Sequence, residues 1–346
     1  MSRKRLMPSR RAGGANGSGT LRVHFENDTS LGPVFAVTRQ RVEEALARNP
    51  KAARLVRASF GAGEKTFERS IGDADVLFAW RFPKDRIKRA APHLKWIHVH
   101  GAGVEHLQPF DWLPEHVTLT NSRGVHGDRA NEYMLMAILM LNNRIPTMVG
   151  NQMRRHWRQV YNTAITGKTL LIVGVGNLGG GAARFAKKAG LRIVGVRRTG
   201  RSHRYVDEMY TPRHLSKLLP KADFVLCSAP LTAATEHLIG WRELDLMKPT
   251  AGIINVGRAG VIDYDALAEK LRRNELSGAV LDVFPHEPLP ASSPLWATPN
   301  LLITPHSSSD DEELYTPKTL DLFFRNMERF AANRPLMNRV DRTLGY

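Results

Sequence analysis

The segment "LLIVGVGNLGGGAARFAKKAGLRIVGVRRTGR", Leu170 to Arg201, decides the fold of this chain. It joins an apolar run, three glycines in the spacing G-x-G-x-x-G, an amphipathic stretch and a second apolar run. This pattern predicts a strand, a tight turn, a helix whose free N–H groups face phosphates, and a second strand. We therefore expect a dinucleotide site. Its predicted residues in this turn are Gly174, Gly176, Asn177, Leu178 and Gly179.

The residues that follow the second predicted strand indicate which dinucleotide is bound. NAD sites carry an acid here for the ribose 2′-hydroxyl, whereas an arginine accommodates a 2′-phosphate. This chain has Arg197, Arg198 and Thr199, and no acid in the loop. A guanidinium can bind phosphate through two hydrogen bonds. The loop favours NADPH, with NADH as the alternative cofactor if the arginines only belong to a generally basic surface.

The composition limits the class of protein. A length of 346 residues fits two domains. The chain is 42% hydrophobic and 24% charged, as in soluble globular proteins, and no apolar run approaches the roughly 20 residues that span a membrane. Cys227 is the single cysteine and cannot form an internal disulfide. We expect a reducing compartment, the cytoplasm, and no membrane partner.

The net charge of +17 is partly a property of the N-terminus. Residues 1–20 contain five basic residues and no acid, which leaves about +12 on the rest. The segment is rich in Gly and Ser, so we predict a disordered basic tail, with a mitochondrial transit peptide as the alternative. The positive charge attracts anions in general, and no DNA-binding motif accompanies it, so we expect no nucleic-acid partner.

The rest of the chain alternates short apolar runs with helical patterns. Four strand candidates lie between Leu21 and Asn121, and six lie between Thr169 and Thr304. This alternation predicts the α/β class with two doubly wound parallel sheets. Between them, residues 127–143 are so densely apolar that we expect a helix buried on most sides, at a domain boundary or a subunit contact.

Three polar residues follow strand candidates of the second half. Arg258 follows "IINV", Glu287 lies in the loop after "AVLDVF", and His306 follows "LLIT". Ligands of open parallel sheets bind outside the carboxyl ends of the strands, so these side chains are predicted to converge there. Each also has a structural alternative, as a surface cation, a solvated acid or a packed histidine. We find no metal-ligand spacing and predict no metal site.

The chain resembles the D-isomer-specific 2-hydroxyacid dehydrogenase family, which includes glyoxylate and hydroxypyruvate reductases. The resemblance runs from "LKWIHVHGAGVEHL" to the end of the chain, through "GVGNLG", "APLTAATEHLIG", "IINVGRAGVID", "LDVFPHEPLP" and "TPH". It implies a Rossmann cofactor domain, residues 123–304, inserted in a flavodoxin-like substrate domain, residues 21–122 and 305–346. It also implies a homodimer.

The resemblance further implies residue roles. Arg258 would hold the carboxylate and carbonyl of a small 2-oxo acid, His306 would protonate the carbonyl oxygen, and Glu287 would orient and charge the imidazole. The backbone of Ala102 and Gly103 would receive the substrate carboxylate. Further cofactor contacts are predicted at Ser228, Ala229, Pro230, Val256, Gly257 and Asp282.

The predicted activity is hydride transfer from NAD(P)H to a small 2-oxo acid to give the D-2-hydroxy acid. Two alternatives stay open. One is a nucleotide-sensing regulator like the C-terminal-binding corepressors of the same family, which the presence of all three catalytic residue types disfavours. The other is an NAD-linked dehydrogenase that works oxidatively, which the arginine pair disfavours.

Overall fold

The computed structural model describes residues 19–125 and 127–346, so nearly all of the predicted basic tail, with its alternative as a transit peptide, lies outside the described residues. The chain forms two compact units. Of the described residues, the first unit contains 19–100, Pro109–Thr120 and Thr319–Arg339, and the second contains Gly101–Gln108, Asn121–Lys318 and Val340–Tyr346.

The first unit is built on a five-stranded sheet with the order β2-β1-β3-β4-β5. Its strands are β1 Leu21–Asn27, β2 Val56–Ala62, β3 Val76–Ala79, β4 Trp96–Val99 and β5 Thr118–Asn121. Its helices are α1 Arg39–Arg48, α2 Pro50–Ala53, α3 Glu64–Ile71 and α4 Ile87–Ala90. β1 pairs in parallel with β2 and β3, and β3 with β4. The order 2-1-3-4-5 is that of flavodoxin-like folds.

The second unit contains a seven-stranded sheet with the order β12-β11-β10-β9-β6-β7-β8, parallel at every pair. Its strands are β6 Thr169–Val173, β7 Arg192–Val196, β8 Glu208–Tyr210, β9 Phe224–Cys227, β10 Gly252–Asn255, β11 Gly278–Leu281 and β12 Leu301–Ile303. Its helices are α5 Gly127–Asn142, α6 Ile145–Met153, α7 Asn177–Lys188, α8 Leu215–Leu218, α9 Trp241–Asp245 and α10 Tyr264–Arg272. The strand order reverses between β6 and β9, which is where such sheets bind nucleotides.

Alternate residues of each central strand supply two cores. Leu171 and Val173 of β6 pack on one face with α10, and Leu170 and Ile172 pack on the other with α5 and α7. Both faces of a parallel sheet are therefore covered, which is why these strands appear as continuous apolar runs. The predicted α/β class with two doubly wound sheets is confirmed.

The last helix, α11 Tyr315–Ala331, contributes to the first unit's core. Leu320, Phe323, Phe324 and Met327 are fully buried there among strand residues such as Trp96. The Trp96 and Phe323 rings stack at 4.9 Å. Among the described residues, no helix is long and apolar enough to cross a membrane.

Within the single chain, helix α5 is amphipathic: Met134 and Ile138 are buried, whereas Met136 and Leu139 are 41% and 39% exposed. Its predicted burial on most sides at a subunit contact stays a prediction. Two short strands, β5 and β8, were not predicted, because neither carries an apolar run.

Candidate active site

The glycine turn after β6 has the geometry of a phosphate-binding turn. Gly174 has a φ of +102°, and a Cβ there would lie 2.4 Å from the backbone nitrogen of Ala229. A Cβ on Gly179 would lie 2.3 Å from the carbonyl oxygen of Gly174. Gly176, by contrast, has no atom within 4 Å of such a Cβ, so its side faces open space. Two glycines thus serve the turn and the third leaves room for a ligand.

Helix α7 begins directly after this turn and leaves its N-terminus open. Gly176 is the N-cap and provides no side-chain cap, and the first turn contains no acid. The N–H groups of Asn177 and Leu178 lie in the first turn, where intrahelical acceptors are missing. Such a terminus carries partial positive charge and suits a phosphate.

The ends of β9 and β10 lie against the glycine turn. The Ser228 hydroxyl donates to the Gly174 carbonyl at 2.8 Å, and the Ser228 backbone N–H donates to the Val173 carbonyl at 2.9 Å. A Cβ on Gly257 would lie 2.7 Å from the Ala229 carbonyl oxygen. Of the predicted cofactor residues, the structure therefore brings together the following: Gly174, Gly179, Ser228, Ala229 and Gly257. Pro230 and Val256 adjoin them in the chain, and the Val256 N–H donates to the Cys227 carbonyl at 3.0 Å.

The two arginines after β7 differ in their surroundings. The Arg197 guanidinium donates to the carbonyls of Arg201 and Ser202 at 2.6 and 2.7 Å and so shapes the loop. Arg198 is exposed, and its side chain makes no hydrogen bond or ion pair with the described part of the chain. Thr199 is also exposed. Arg198 is therefore the arginine with a guanidinium free to bind a phosphate.

His203 was not predicted from the sequence. Its ring lies against α7, where a Cβ on Gly180 would be 2.8 Å from Nε2. Burial lowers its pKa, with further lowering by the charges of Arg197 and Arg204, and Nδ1 is buried without a partner among the described residues. A histidine in a basic loop carries no pattern that would have revealed this packing.

Arg258 lies on a loop that Asn255 organises. The Asn255 side chain donates to the Arg258 carbonyl at 3.1 Å and accepts from the Gly257 N–H at 3.0 Å. The Tyr264 hydroxyl, 2.9 Å from Asn255 Nδ2, donates to the Val283 carbonyl. This fixes the backbone from which the arginine projects.

The Arg258 guanidinium forms an ion pair that the sequence did not predict. Its Nε and Nη2 donate to the two carboxylate oxygens of Glu105 at 2.8 and 3.2 Å, and Nη1 donates to the Gly257 carbonyl at 2.7 Å. The ion pair packs against Gly103, where an added Cβ would be 2.0 Å from Arg258 Nη2. Arg258 and the predicted substrate loop residue Gly103 are thus in contact.

Neighbouring Ala102 is held by its carbonyl, which accepts from Asn121 Nδ2 at 2.7 Å. The loop 101–108 was predicted to belong to the substrate domain, as were 305–318 and 340–346, but all three segments pack within the second unit. Glu105 of the first segment binds Arg258, Ser307 and Ser308 of the second bind Asp282, and Gly345 of the third binds Gln108, so each segment is held by residues of this unit.

Glu287 and His306 form the predicted pair. The distance between Glu287 Oε2 and His306 Nδ1 is 2.7 Å, and the other carboxylate oxygen accepts from the Phe284 N–H at 2.8 Å. An ionised carboxylate only accepts hydrogen bonds, so Nδ1 carries the proton and Nε2 is left for a substrate. His306 has a φ of +51°, a strained conformation of the kind that clusters at functional sites.

Asp282 supports the His306 segment. It is fully buried, and its carboxylate accepts from the Thr304 hydroxyl at 2.6 Å and from the N–H groups of Ser307 and Ser308 at 3.0 and 3.1 Å. The predicted contact with a nicotinamide stays a prediction.

Asp310 lies close to the same segment and was not predicted. Burial raises its pKa to about 6; the charge of His306 opposes this shift and that of Asp282 adds to it.

Among residues 19–125 and 127–346, no group of three or more His, Cys, Asp or Glu side chains could hold a metal.

Comparisons with known proteins agree with this geometry. The family model "D-isomer specific 2-hydroxyacid dehydrogenase, NAD binding domain" matches residues 135–308. A protein named glyoxylate reductase from Korarchaeum cryptofilum is 31% identical over 261 residues, which cover 72% of this chain and 78% of the relative.

Two solved structures each have a TM-score of 0.79 and cover 94% of this chain and all of their own. One is a D-isomer specific 2-hydroxyacid dehydrogenase from Xanthobacter autotrophicus in complex with NADPH and MES, 27% identical. The other is an NADPH-dependent glyoxylate/hydroxypyruvate reductase from Sinorhizobium meliloti in complex with NADP and sulfate, 26% identical.

Proposed function

Since the chain belongs to the D-isomer-specific 2-hydroxyacid dehydrogenase family, we propose that it reduces a small 2-oxo acid, glyoxylate or hydroxypyruvate, with NADPH. The product is the 2-hydroxy acid of D configuration where the carbon is chiral. The observation that carries this proposal is the hydrogen-bonded pair of Glu287 and His306, beyond β11 and β12, with Arg258 beyond the adjacent β10.

His306 is the proposed general acid. Reduction of the carbonyl builds negative charge on its oxygen, and a proton delivered from Nε2 neutralises that charge. Glu287 holds the ring through Nδ1 and stabilises the imidazolium before the proton leaves. The same histidine acts as the base in the oxidative direction.

Arg258 is the proposed substrate-binding cation. Its charge attracts the carboxylate of the 2-oxo acid and also stabilises the oxygen on which charge develops, more strongly in the transition state than in the ground state. The backbone N–H groups of Ala102 and Gly103 complete the proposed carboxylate site, since Gly103 already contacts this guanidinium.

The residues present fit a dinucleotide. The open side of Gly176 and the uncapped N-terminus of α7 suit a pyrophosphate, and Arg198 suits a 2′-phosphate. When bound, the nicotinamide supplies the hydride. The remaining predicted contacts, from Ser228 to Pro230 and at Val256, Gly257 and Asp282, belong to this proposal.

The catalytic proposal is tested with hydroxypyruvate and NADPH, following oxidation of NADPH and the configuration of the glycerate formed. His306→Gln should reduce kcat by about 10²–10⁴-fold, because the general acid is lost. Glu287→Gln should reduce it less. Wild-type protein that is folded but oxidises NADPH with neither hydroxypyruvate nor glyoxylate would contradict the proposal.

The cofactor proposal is tested by comparing kcat/KM for NADPH and NADH. We expect wild type to prefer NADPH by tenfold or more, about 1.4 kcal/mol. Arg198→Ala should remove most of this preference. Arg197→Ala should reduce the preference for NADPH by less than Arg198→Ala does, because the Arg197 guanidinium binds loop carbonyls. Arg242→Ala, at an exposed position of α9, is the matched control. Equal use of both cofactors by wild type would favour the NAD-linked alternative.

We also propose a homodimer, formed by a second copy on the apolar surface of α5 and α6. Met136 and Leu139 of α5 and Met148 and Val149 of α6 are exposed, and beyond α6 Trp157 is 93% exposed. Exposed apolar surfaces of this kind mark interfaces. Light scattering should give twice the mass of the chain, and Leu139→Glu with Val149→Glu should give the monomer mass. A monomeric wild type would contradict this proposal. A cytoplasmic location remains a prediction.

A further inference from the structure

The carboxylate of Glu105 binds one edge of the Arg258 guanidinium, the group proposed to hold the substrate. Arg258 has five N–H donors. Two of them, on Nε and Nη2, bind Glu105, and one on Nη1 binds the Gly257 carbonyl. One N–H on each of Nη1 and Nη2 is left without a partner in the described part of the chain. These two donors lie on the two terminal nitrogens of one planar group, and a carboxylate can accept from two such donors at once.

We propose that Glu105 is a positioning residue that fixes Arg258 so that its Nη1 and Nη2 donors are presented together to the carboxylate and carbonyl oxygen of the 2-oxo acid. This inference rests on the proposed function. Glu105 acts through Arg258 and does not touch the reacting atoms.

The segment that carries Glu105 is itself held in place. The Ser122 N–H donates to the Gly101 carbonyl at 2.9 Å, and Asn121 binds the Ala102 carbonyl. At the other end, the Gln108 side chain donates to the Gly345 carbonyl at 3.1 Å. The loop 101–108 is therefore fixed on both sides of Glu105. Because the position of Glu105 is fixed, the position of the guanidinium that it binds is fixed as well.

The pair is charged and partly shielded. The side chains of Arg258 and Glu105 are only 31% and 34% exposed. Burial alone would raise the pKa of Glu105, but the charge and hydrogen bonds of Arg258 outweigh burial and lower it. Glu105 therefore stays ionised at neutral pH, and its hold on Arg258 does not depend on pH in that range.

A competing interpretation is that Glu105 occupies the place of the substrate carboxylate and must be displaced. The position of the pair argues against it. The Glu105 carboxylate accepts from Nε and Nη2, the Gly257 carbonyl accepts from Nη1, and one further N–H on each of Nη1 and Nη2 remains for the substrate. The two interpretations predict opposite effects on KM.

The first experiment measures kcat and KM for hydroxypyruvate with saturating NADPH. Glu105→Gln and Glu105→Ala should lower kcat/KM by about ten- to a hundredfold, mainly by raising KM, because a misplaced binding group costs about this much. Glu105→Asp keeps the charge and should recover part of the loss. KM for NADPH and the melting temperature should not change. Glu269→Gln, which breaks a surface Glu–Arg pair on α10 (Oε1 to Arg273 Nε, 2.7 Å), is the matched control.

The second experiment uses guanidinium ion to restore Arg258→Ala. Glu105 should hold the added ion where the side chain was, so restoration should need at least tenfold less guanidinium in Arg258→Ala than in Arg258→Ala with Glu105→Gln. Equal restoration in both would overturn the inference.

The outcomes separate the inference from the proposed function. An inactive wild type contradicts both. If wild type is active and Glu105→Gln has the same kcat/KM for hydroxypyruvate, the inference alone is overturned. A lower KM in Glu105→Ala at unchanged kcat also overturns it, since that result identifies Glu105 as a competitor of the substrate.

Discussion

Gly103 is the residue on which the arrangement around Arg258 depends most directly. A Cβ at this position would lie 2.0 Å from Arg258 Nη2 and 2.4 Å from Glu105 Oε2. Gly103→Ala should therefore separate the ion pair and lower kcat/KM by about a hundredfold, with the KM for NADPH retained. Gly32→Ala is the control, because no atom lies within 4 Å of a Cβ there. Unchanged kinetics in Gly103→Ala would show that the guanidinium can bind substrate from another position.

The raised pKa of Asp310 predicts how this residue changes the unfolding free energy with pH. Its folded pKa of about 6 exceeds the usual 3.8, so the folded state binds the proton more tightly than the unfolded state. The contribution of Asp310 to the unfolding free energy should fall as pH rises from about 4 to 6, by up to about 3 kcal/mol. Asp310→Asn removes this loss, so denaturant unfolding should find the variant more stable than wild type at pH 8 but not at pH 4. A variant less stable than wild type at pH 8 would contradict this.

The positions of site residues were predictable where a motif places them after a strand, and their roles stay a proposal. Arg258, Glu287, His306 and the glycines have such positions. Glu105 does not, because its partner is 153 positions away and a single loop acid does not reveal it. Asn255 was missed for a similar reason: a polar residue at a strand end does not show which backbone it binds.

At the scale of elements, the packing of α7 on α5 depends on a helical glycine. A Cβ on Gly181 would lie 2.0 Å from Asn131 Oδ1, and Asn131 is buried. Gly181→Ala should cost about 1–3 kcal/mol of unfolding free energy through overpacking. Gly150→Ala, on α6, meets only Arg154 at 3.7 Å and should stabilise by about 0.5–1 kcal/mol. Urea unfolding measures both. Equal effects would mean that α5 and α7 adjust freely.

Elements were predictable in proportion to their apolar content. The six strand candidates of the second sheet are confirmed, because buried parallel strands are continuously apolar. Strand β8 was missed since its residues, Glu208–Tyr210, are half-buried and lie at the sheet edge. The density of apolar residues in α5 suggested burial on most sides; within the single chain its buried positions follow one face, and the predicted subunit contact would cover the rest.

At the scale of the whole molecule, His98 links folding to pH. Burial lowers its pKa to about 3, with a smaller contribution from the charge of His100. Below pH 6.5 the unfolded chain therefore binds a proton at His98 that the folded chain does not, and the contribution of His98 to stability is lost as pH falls towards 3, by about 1.4 kcal/mol per pH unit. His98→Gln should flatten this dependence in denaturant titrations between pH 4 and 7. An unchanged slope would place the acid sensitivity elsewhere.

The global architecture was predictable as a class from alternation alone. The strand orders were not predictable in this way, because an apolar run does not show which other strand it pairs with. The expectation of a Rossmann and a flavodoxin-like sheet came from the family resemblance. The structure has both orders.

Cys227 is the last residue of β9 and is fully buried, and burial raises the pKa of its thiol to about 12. Maleimide reagents need a thiolate within reach, so the native chain should resist labelling. Cysteines introduced at two surface positions would then be the reactive thiols, and a pair of fluorescent dyes could be attached without first removing the native residue. The chain is thereby suited to single-molecule distance measurements during turnover.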